Sequence, residues 1–289
     1  MADLEGLASQ LAESHTISRR PGRGLSLLDH LQKEELLLRQ AYQHLAEVSE
    51  AQPALSYASE WLLDNYYVIQ RAIRQIREDM PAGYYRQLPQ TAASSLEGYP
   101  RIYALAREVI GQCEGHLDLD LVTRFVRAYQ RVVPLTMGEL WALPTMLRMG
   151  IIARLTQTLA QITGLQARRG AGVPALTPPA QELADEAIVA DCILSLRTLA
   201  TQDWRGFFES ISLVEQVLRG DPARIYSRMD FDTRDRYRAV VEELALETGR
   251  DEEGIAEEAI DMAEEKQQSS QDSPRAGHVG FYLLDAGRA

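Results

Sequence analysis

Apolar residues recur every three to four positions along most of this 289-residue chain. Between residues 25 and 48, for example, Leu27, Leu31, Leu38 and Leu45 have the spacing of one helix face. No segment shows the sustained alternation of apolar and polar residues that a half-buried strand requires. Because 45% of the residues are apolar, the chain can also bury a substantial core. The pattern predicts an all-α fold, a multi-helix bundle.

Glycine- and proline-rich stretches divide the predicted bundle into two helical subdomains. The segment GLQARRGAGVPALTPPA, residues 164–180, has the composition of a linker. It separates a predicted N-terminal helical subdomain at 25–163 from a C-terminal one at 181–265. We expect residues 1–24 to form a flexible lead-in and 266–289 to form a polar tail with a short apolar end.

Polar residues in front of apolar runs indicate where several helices begin. Asp118 or Asp120 is placed to cap one helix, and Thr233 another. Thr136 followed by Glu139 matches a capping box that opens a long apolar helix. In the C-terminal subdomain the predicted helices span roughly 181–200, 204–219, 233–248 and 252–265.

Charge and hydropathy limit the environments that suit the chain. A net charge of −12 argues against a nucleic-acid partner, which needs clustered basic residues. The most apolar stretch, 135–159, is interrupted by Glu139, Arg148 and Arg154, too many charges for a lipid-exposed helix. The N-terminus lacks the basic start and the continuous apolar run of a signal peptide. We expect a soluble chain with no direct membrane span.

The cysteines are few and far apart. Cys113 and Cys192 cannot form a disulfide framework or a four-ligand zinc site on their own, and two isolated cysteines are typical of a reducing compartment. We interpret both as small buried residues.

Arginine, aspartate and aromatic residues are interleaved between residues 203 and 245. Asp230 and Asp232 have the Asp-x-Asp spacing that can hold a divalent metal and a sugar-nucleotide diphosphate, as do Asp118 and Asp120. Helix capping is the preferred interpretation, because these pairs lie where helices begin rather than after a strand. Arginines of the same block can clamp a phosphate, but internal ion pairs with its aspartates are favoured. The candidate ligand or docking residues in this block are Trp204, Arg228, Asp230, Asp232, Arg234 and Asp235.

A second candidate group is rich in aromatic side chains. Such residues can present a platform to a sugar, or they can be core residues whose polar atoms are bonded to Arg or Asp partners. The core interpretation is favoured. The residues of this group are Trp61, Asp64, Asn65, Tyr66, Tyr84, Tyr85 and Arg86.

Familiar catalytic signatures are missing from the sequence. There is no GxSxG elbow, no phosphate-binding GxxxxGK[ST] loop and no GxGxxG turn, and the five histidines do not have metal-ligand spacing. We therefore assign no catalytic residue, no metal and no cofactor.

Several longer segments carry a family resemblance. The stretches SEWLLDNYYVIQRAIRQIREDMPAGYYRQLP, GYPRIYALA, FVRAYQRVVPLTMGELWALPTMLR, SLRTLATQDWRGFFESISLVEQVL and DPARIYSRMDFDTRDRYR occur in this order, followed by HVGFYLLD. Together they closely resemble the N-terminal region of bacterial cyclic β-1,2-glucan synthases, across most of residues 25–285.

The resemblance implies a cytoplasmic module at the inner face of the bacterial inner membrane. In that family a region of this kind precedes membrane-spanning helices, a glycosyltransferase domain that uses UDP-glucose, and a glycoside-phosphorylase-like domain. Its implied partners are the membrane and glycosyltransferase parts of such a synthase, in cis or in trans. Neither catalytic domain lies within these residues, so no catalytic residue is carried over and the question of enzyme activity stays open.

Three functional hypotheses follow. The first is a non-catalytic helical module that scaffolds or regulates a glucan synthase. The second is a module that contributes to binding of UDP-glucose or β-glucan, with Asp230, Asp232 and Arg234 as the first residues to test. The third is a stand-alone helical adaptor. The helix context of the Asp-x-Asp pairs favours the first over the second, and the extent of the resemblance disfavours the third.

Overall fold

The computed structural model describes residues 4–18, 26–51, 57–81, 83–92, 96–113, 115–165, 185–269 and 277–285. Within these ranges the long elements are all α-helices, which confirms the predicted all-α fold. Strands β1 (Ile17–Ser18) and β2 (Gln90–Thr91) have two residues each and pair antiparallel. The predicted linker at 164–180 lies almost entirely outside the described residues.

The elements follow in chain order. Helices α1 to α7 span Leu4–Ser14, Leu27–Ala51, Tyr57–Asp79, Tyr84–Gln87, Arg101–Gln112, Leu119–Gln130 and Met137–Thr163. Helices α8 to α13 span Asp185–Thr201, Trp204–Ile211, Leu213–Leu218, Phe231–Thr248, Glu252–Ser269 and Gly280–Leu284, and a 3₁₀ turn occupies Tyr226–Arg228.

Side chains that cap free backbone amides explain several helix starts. Asp118 caps α6 by accepting the N–H two residues later at 2.9 Å. The predicted capping box of Thr136 and Glu139 is confirmed, with the Thr136 N–H donating to the Glu139 carboxylate at 2.9 Å. The helix predicted at 204–219 is divided into α9 and α10, because Ser212 ends one helix and caps the next.

The first compact unit comprises Met1–Val133 and Trp141–Gln202. Helix α3 packs against α2 and α8, and α1 packs against α6. Within the predicted lead-in, α1 buries Ala8 and Ala12, and β1 pairs with β2.

The second compact unit comprises Pro134–Leu140 and Asp203–Ala289. Helix α12 packs against α10 and α11, and α13 packs against α11 and α12. The division differs from the predicted one, because α8 packs against α3 and belongs to the first unit. In the region of the predicted polar tail, α12 continues to Ser269, and Val279 and Leu283 of the short apolar end are buried.

Helix α7 contains the apolar stretch noted above and carries Pro144 in its interior. Its buried Arg148 donates a hydrogen bond to the Asp79 carboxylate at 3.3 Å and another to the Leu199 carbonyl at 3.2 Å. These bonds link α7 to α3 and α8 in the first unit. Of the helices in the described ranges, none combines the length and the apolar character that a membrane crossing needs.

Candidate functional site

Asp230 and Asp232 are engaged as a helix cap and a surface ion pair. Asp230 accepts hydrogen bonds from the Thr233 N–H at 2.8 Å and from its hydroxyl at 2.9 Å. Asp230 is therefore the N-cap of α11, and the prediction that Thr233 has this role was wrong. The bonds from Thr233 lower the pKa of the Asp230 carboxyl. Asp232 is exposed and lies 3.2 Å from the Arg205 guanidinium.

The arginines of the same block bind carboxylates of the protein. Arg234 donates to both carboxylate oxygens of Glu209, at 2.6 and 2.8 Å. Arg238, which is almost fully buried, donates to Glu215 at 2.7 Å and to Asp235 at 3.1 Å. Paired guanidinium groups of this kind are occupied, so a phosphate would have to displace an internal carboxylate. The favoured hypothesis of internal pairing is consistent with this geometry, although most of the partner acids lie outside the predicted set.

Glu215 is the centre of this buried network. Its fully buried carboxylate accepts hydrogen bonds from the Tyr226 hydroxyl at 2.7 Å, from Arg238 at 2.7 Å and from Arg219 Nε at 2.8 Å. The Arg238 guanidinium also lies over the Phe231 ring, 4.7 Å from its centroid. Burial alone would lower the pKa of Arg238, but the hydrogen bonds to carboxylates outweigh it, so that the pKa is raised and the charge is retained.

A second buried carboxylate, Asp221, holds the corner that follows α10. It accepts hydrogen bonds from the N–H groups of Ile225 (2.9 Å), Tyr226 (3.1 Å) and Val279 (3.0 Å), and its Oδ2 lies 2.9 Å from His278 Nδ1. Burial would raise the pKa of Asp221, yet these hydrogen bonds lower it overall. Asp221 therefore joins the corner to the segment in front of α13.

His278 extends this chain of contacts to Tyr237. Its Nε2 lies 3.1 Å from the Tyr237 hydroxyl, so that a carboxylate, an imidazole and a hydroxyl follow one another as in a nucleophilic triad. Two observations argue against catalysis. Burial raises the pKa of Tyr237, and the Gly280 backbone covers the hydroxyl so closely that a Cβ there would lie 2.5 Å from it. We interpret the arrangement as an anchor for α13.

The two remaining candidates of this block are Trp204 and Arg228. Trp204 packs edge-on against Phe207, with ring centroids 5.4 Å apart. Arg228 ends the 3₁₀ turn and is exposed.

The aromatic candidates divide into groups with different partners. On α3, Trp61 packs against Tyr57 with centroids 6.0 Å apart, whereas Tyr66 stacks on Tyr42 at 4.4 Å. Asp64 is exposed on the same helix.

The other aromatic candidates lie in or beside the short helix α4. Tyr85 Oη lies 3.3 Å from Ser26 Oγ. Tyr84 is half-buried, and the side chain of Arg86 lies outside what the structure describes.

Asn65 is fixed between two helices of the first unit. Its amide donates to the Trp61 carbonyl at 2.9 Å, and its side-chain oxygen accepts from Arg197 of α8. Arg197 also donates to the Tyr67 hydroxyl at 3.1 Å. Tyr67, which follows Tyr66 on α3, is 61% exposed and is therefore more open to solvent than the candidates Trp61 and Tyr66.

Sequence reasoning missed three acids that organise the second unit, namely Glu209, Glu215 and Glu252. It predicted an arginine of the block, rather than His278, as the partner of Asp221. Only the four-residue spacing of Glu215 and Arg219 on a predicted helix gives a local signal. The Glu252 carboxylate accepts the Met137 N–H at 2.7 Å, and burial raises its pKa to about 7.

The described residues support neither a metal site nor a reactive thiol. In the part of the chain that the structure describes, no three His, Cys, Asp or Glu side chains meet in a geometry that could hold a metal ion. Burial raises the pKa of Cys113 to about 11 and that of Cys192 to about 12, which suppresses the reactive thiolate. Cys192 is buried as predicted, and Cys113 is partly buried.

Comparison with known proteins gives one informative match. No family model matches the chain. The protein named cyclic beta-(1,2)-glucan synthase NdvB from Rhizobium meliloti (strain 1021) is 29% identical to it, across 98% of this chain. The match spans only 12% of the length of that synthase. The chain is therefore distantly homologous to a segment of a cyclic β-1,2-glucan synthase.

Proposed function

We propose that this chain is a helical module of, or for, a membrane-bound cyclic β-1,2-glucan synthase that polymerises glucose from UDP-glucose. It corresponds in this proposal to the N-terminal cytoplasmic region and lies at the cytoplasmic face of the bacterial inner membrane. The distant homology over 98% of the chain supports the link to the synthase. Because the chain spans only 12% of that relative, the proposal assigns glucosyl transfer to other parts of such a protein.

The proposed role of the module itself is scaffolding or regulatory and non-catalytic. The observation that carries this role is the internal use of the charged candidates: Asp230 caps a helix, Asp232 pairs with Arg205, and Arg234 binds Glu209. A diphosphate or a divalent cation needs guanidinium or carboxylate groups that are free to bind it. Engaged side chains of this kind favour a fixed helical surface over a reaction centre.

The test combines ligand binding with partner binding. The purified chain is titrated with UDP-glucose and Mg²⁺ and assayed for glucosyl transfer, and it is then offered to a detergent-solubilised synthase that lacks the equivalent stretch. We expect neither nucleotide binding nor transfer, together with saturable binding to the synthase. Saturable UDP-glucose binding that Asp232→Ala abolishes, with an unchanged circular dichroism spectrum, would overturn the non-catalytic role.

Binding of β-glucan along α3 is a second candidate function. It is favoured by the way Arg197 holds both Asn65 and the exposed Tyr67, since prearranged polar and aromatic groups lower the entropic cost of binding a ligand. Trp61, whose carbonyl binds Asn65, adds a second aromatic side chain on the same helix.

Isothermal titration with linear β-1,2-glucan tests this second function. Binding that is lost in Tyr67→Ala and kept in Tyr67→Phe would support it, because the second variant retains the ring. Leu246→Ala, at an exposed apolar residue of α11, is the matched control and should not alter the affinity. Absence of heat with the wild-type chain would rule the function out.

A further inference from the structure

Near the start of the segment DPARIYSRMDFDTRDRYR, Arg224, Ile225 and Arg228 have side chains that the buried network does not use. The segment's aspartates, Tyr226, Arg234 and Arg238 are engaged in the caps and ion pairs described above. Arg224, Ile225 and Arg228 instead extend into solvent. The side chain of Ile225 is 45% exposed.

The local backbone places two of these side chains, those of Ile225 and Arg228, on one side of the corner. Residues three apart lie above one another in a 3₁₀ turn, and the Arg228 N–H donates to the Ile225 carbonyl at 3.0 Å. Ile225 and Arg228 therefore project from the same side. Arg224 precedes them and has a φ of 55°, the left-handed region that a non-glycine residue rarely occupies.

The buried Asp221 holds the backbone of this corner in place through hydrogen bonds. Its carboxylate binds the N–H groups of Ile225 and Tyr226, and its carbonyl accepts the Arg224 N–H at 2.8 Å. The backbone that carries the three exposed side chains is therefore already ordered. The backbone of this surface need not be ordered when a partner binds, so the conformational entropy that is lost is that of the side chains.

Two guanidinium groups and one apolar side chain favour a particular kind of partner. Guanidinium groups recognise carboxylates through paired hydrogen bonds, and arginine beside an apolar side chain is common at the centres of protein interfaces. An extended polyanion, such as a nucleic acid or an anionic lipid surface, is disfavoured by the net charge of −12. It would also meet the acidic side chains that α12 exposes, Glu257, Asp261, Glu264 and Glu265. A short acidic protein segment covers little more than the corner itself and therefore meets less of this repulsion.

We infer that Arg224, Ile225 and Arg228 form a docking corner for an acidic protein segment that carries an apolar side chain. Resting on the proposed function, the inference places this acidic segment in the rest of the glucan synthase. The two arginines bind its carboxylates, and Ile225 contacts its apolar side chain.

Charge reversal at the docking corner tests the inference. Binding of the full chain to the solubilised synthase that lacks the equivalent stretch is measured by biolayer interferometry. We expect Arg228→Glu to weaken binding by about tenfold or more, because it turns an attraction into a repulsion. Arg236→Glu on α11 makes the same change of charge at an exposed position outside the corner and should change the affinity less than about twofold.

The outcomes separate the two proposals. If the wild-type chain binds and Arg228→Glu binds equally well, the inference of a docking corner is overturned and the proposed function stands. If the wild-type chain does not bind the synthase at all, both are overturned. If Arg228→Glu and Arg236→Glu weaken binding equally, the effect is one of overall charge and the inference of a docking corner is overturned.

Photocrosslinking identifies the occupant of the corner. With p-benzoylphenylalanine in place of Ile225, we expect crosslinks to a segment of the synthase rich in Asp and Glu. Crosslinks to a second copy of this chain, to lipid or to a basic segment would each overturn the inference.

Discussion

Glu215 is the residue on which the buried charges of the second unit converge. It accepts hydrogen bonds from Tyr226, Arg238 and Arg219 while fully buried. Replacement by alanine removes the closest carboxylate from Arg238, which is itself almost fully buried. Loss of one partner of a buried ion pair costs roughly 3–5 kcal/mol. We expect Glu215→Ala to lower the free energy of unfolding by about this amount, as measured by urea titration with circular dichroism.

The matched control for this prediction is Asp232→Ala. Asp232 and Arg205 form an ion pair in which both side chains are largely exposed, and such pairs contribute about 1 kcal/mol or less. Equal losses of stability in the two variants would contradict the central role of Glu215.

At the scale of elements, close packing at Gly280 determines how α13 is held. A Cβ at this position would lie 2.5 Å from the Tyr237 hydroxyl and 2.7 Å from His278 Nε2. We expect Gly280→Ala to push α13 away from α11, at a cost of about 1–3 kcal/mol. The measurement is hydrogen–deuterium exchange of the Val279 N–H, which binds Asp221 in the wild type and should exchange faster in the variant.

A second substitution tests the cause of that effect. Tyr237→Phe removes the hydroxyl that the new methyl group would meet, so the double variant should recover part of the lost protection. If Gly280→Ala exchanges at the wild-type rate, the close approach does not determine the docking of α13.

Helix α1 depends on an uncharged histidine at its C-terminal end. His15 Nδ1 lies 2.8 Å from the Tyr129 hydroxyl, and burial together with the nearby Arg101 charge lowers the pKa of His15 to about 4. The pKa of His15 is lower when α1 is packed against α6 than the usual value of 6.5. The packing of α1 is therefore fully favourable above pH 6.5 and weakens as the pH falls towards 4. Exchange of the α1 amides, corrected for intrinsic rates, should therefore accelerate on acidification.

An asparagine at position 15 provides the control for α1. His15→Asn keeps a hydrogen-bonding group near Tyr129 but does not titrate in this range. We expect its α1 amides to show no acid-induced loss of protection between about pH 6.5 and 4. An unchanged acid response in this variant would assign the effect to another group.

For the whole molecule, local signals in the sequence were sufficient to predict the fold class and several helix starts. Asp118 and the pair Thr136 and Glu139 act within three residues of the amides they cap, so their spacing is visible in the sequence. The docking of α1 was missed, because its buried residues are the small Ala8 and Ala12 and its partner helix α6 lies more than a hundred positions away in the chain.

The candidate site was predictable in its residue types but not in its partners. Internal pairing of the arginines follows from the mixture of charges in the block. The choice of Glu209 for Arg234 and of His278 for Asp221 joins residues 25 and 57 positions apart. Such contacts depend on how α9 and the segment before α13 pack, and no local spacing encodes that packing.

Glu252 gives the chain a second pH-sensitive point, with the sign opposite to that of His15. Burial raises its pKa to about 7, with added repulsion from Glu242 and Glu139, despite the bond from the Met137 N–H. Because the folded pKa exceeds the usual 4.5, the stability that protonation contributes is present below pH 4.5 and is lost as the pH rises towards 7. Glu252→Gln keeps an acceptor for the Met137 N–H without the charge. We expect it to slow the exchange of this amide and to raise the melting temperature at about pH 8, with little effect near pH 4.5.

A variant that is less stable than the wild type at about pH 8 would contradict this account. Acidification should thus weaken the docking of α1 while it strengthens the start of α7, a pair of opposite responses that general acid denaturation would not produce.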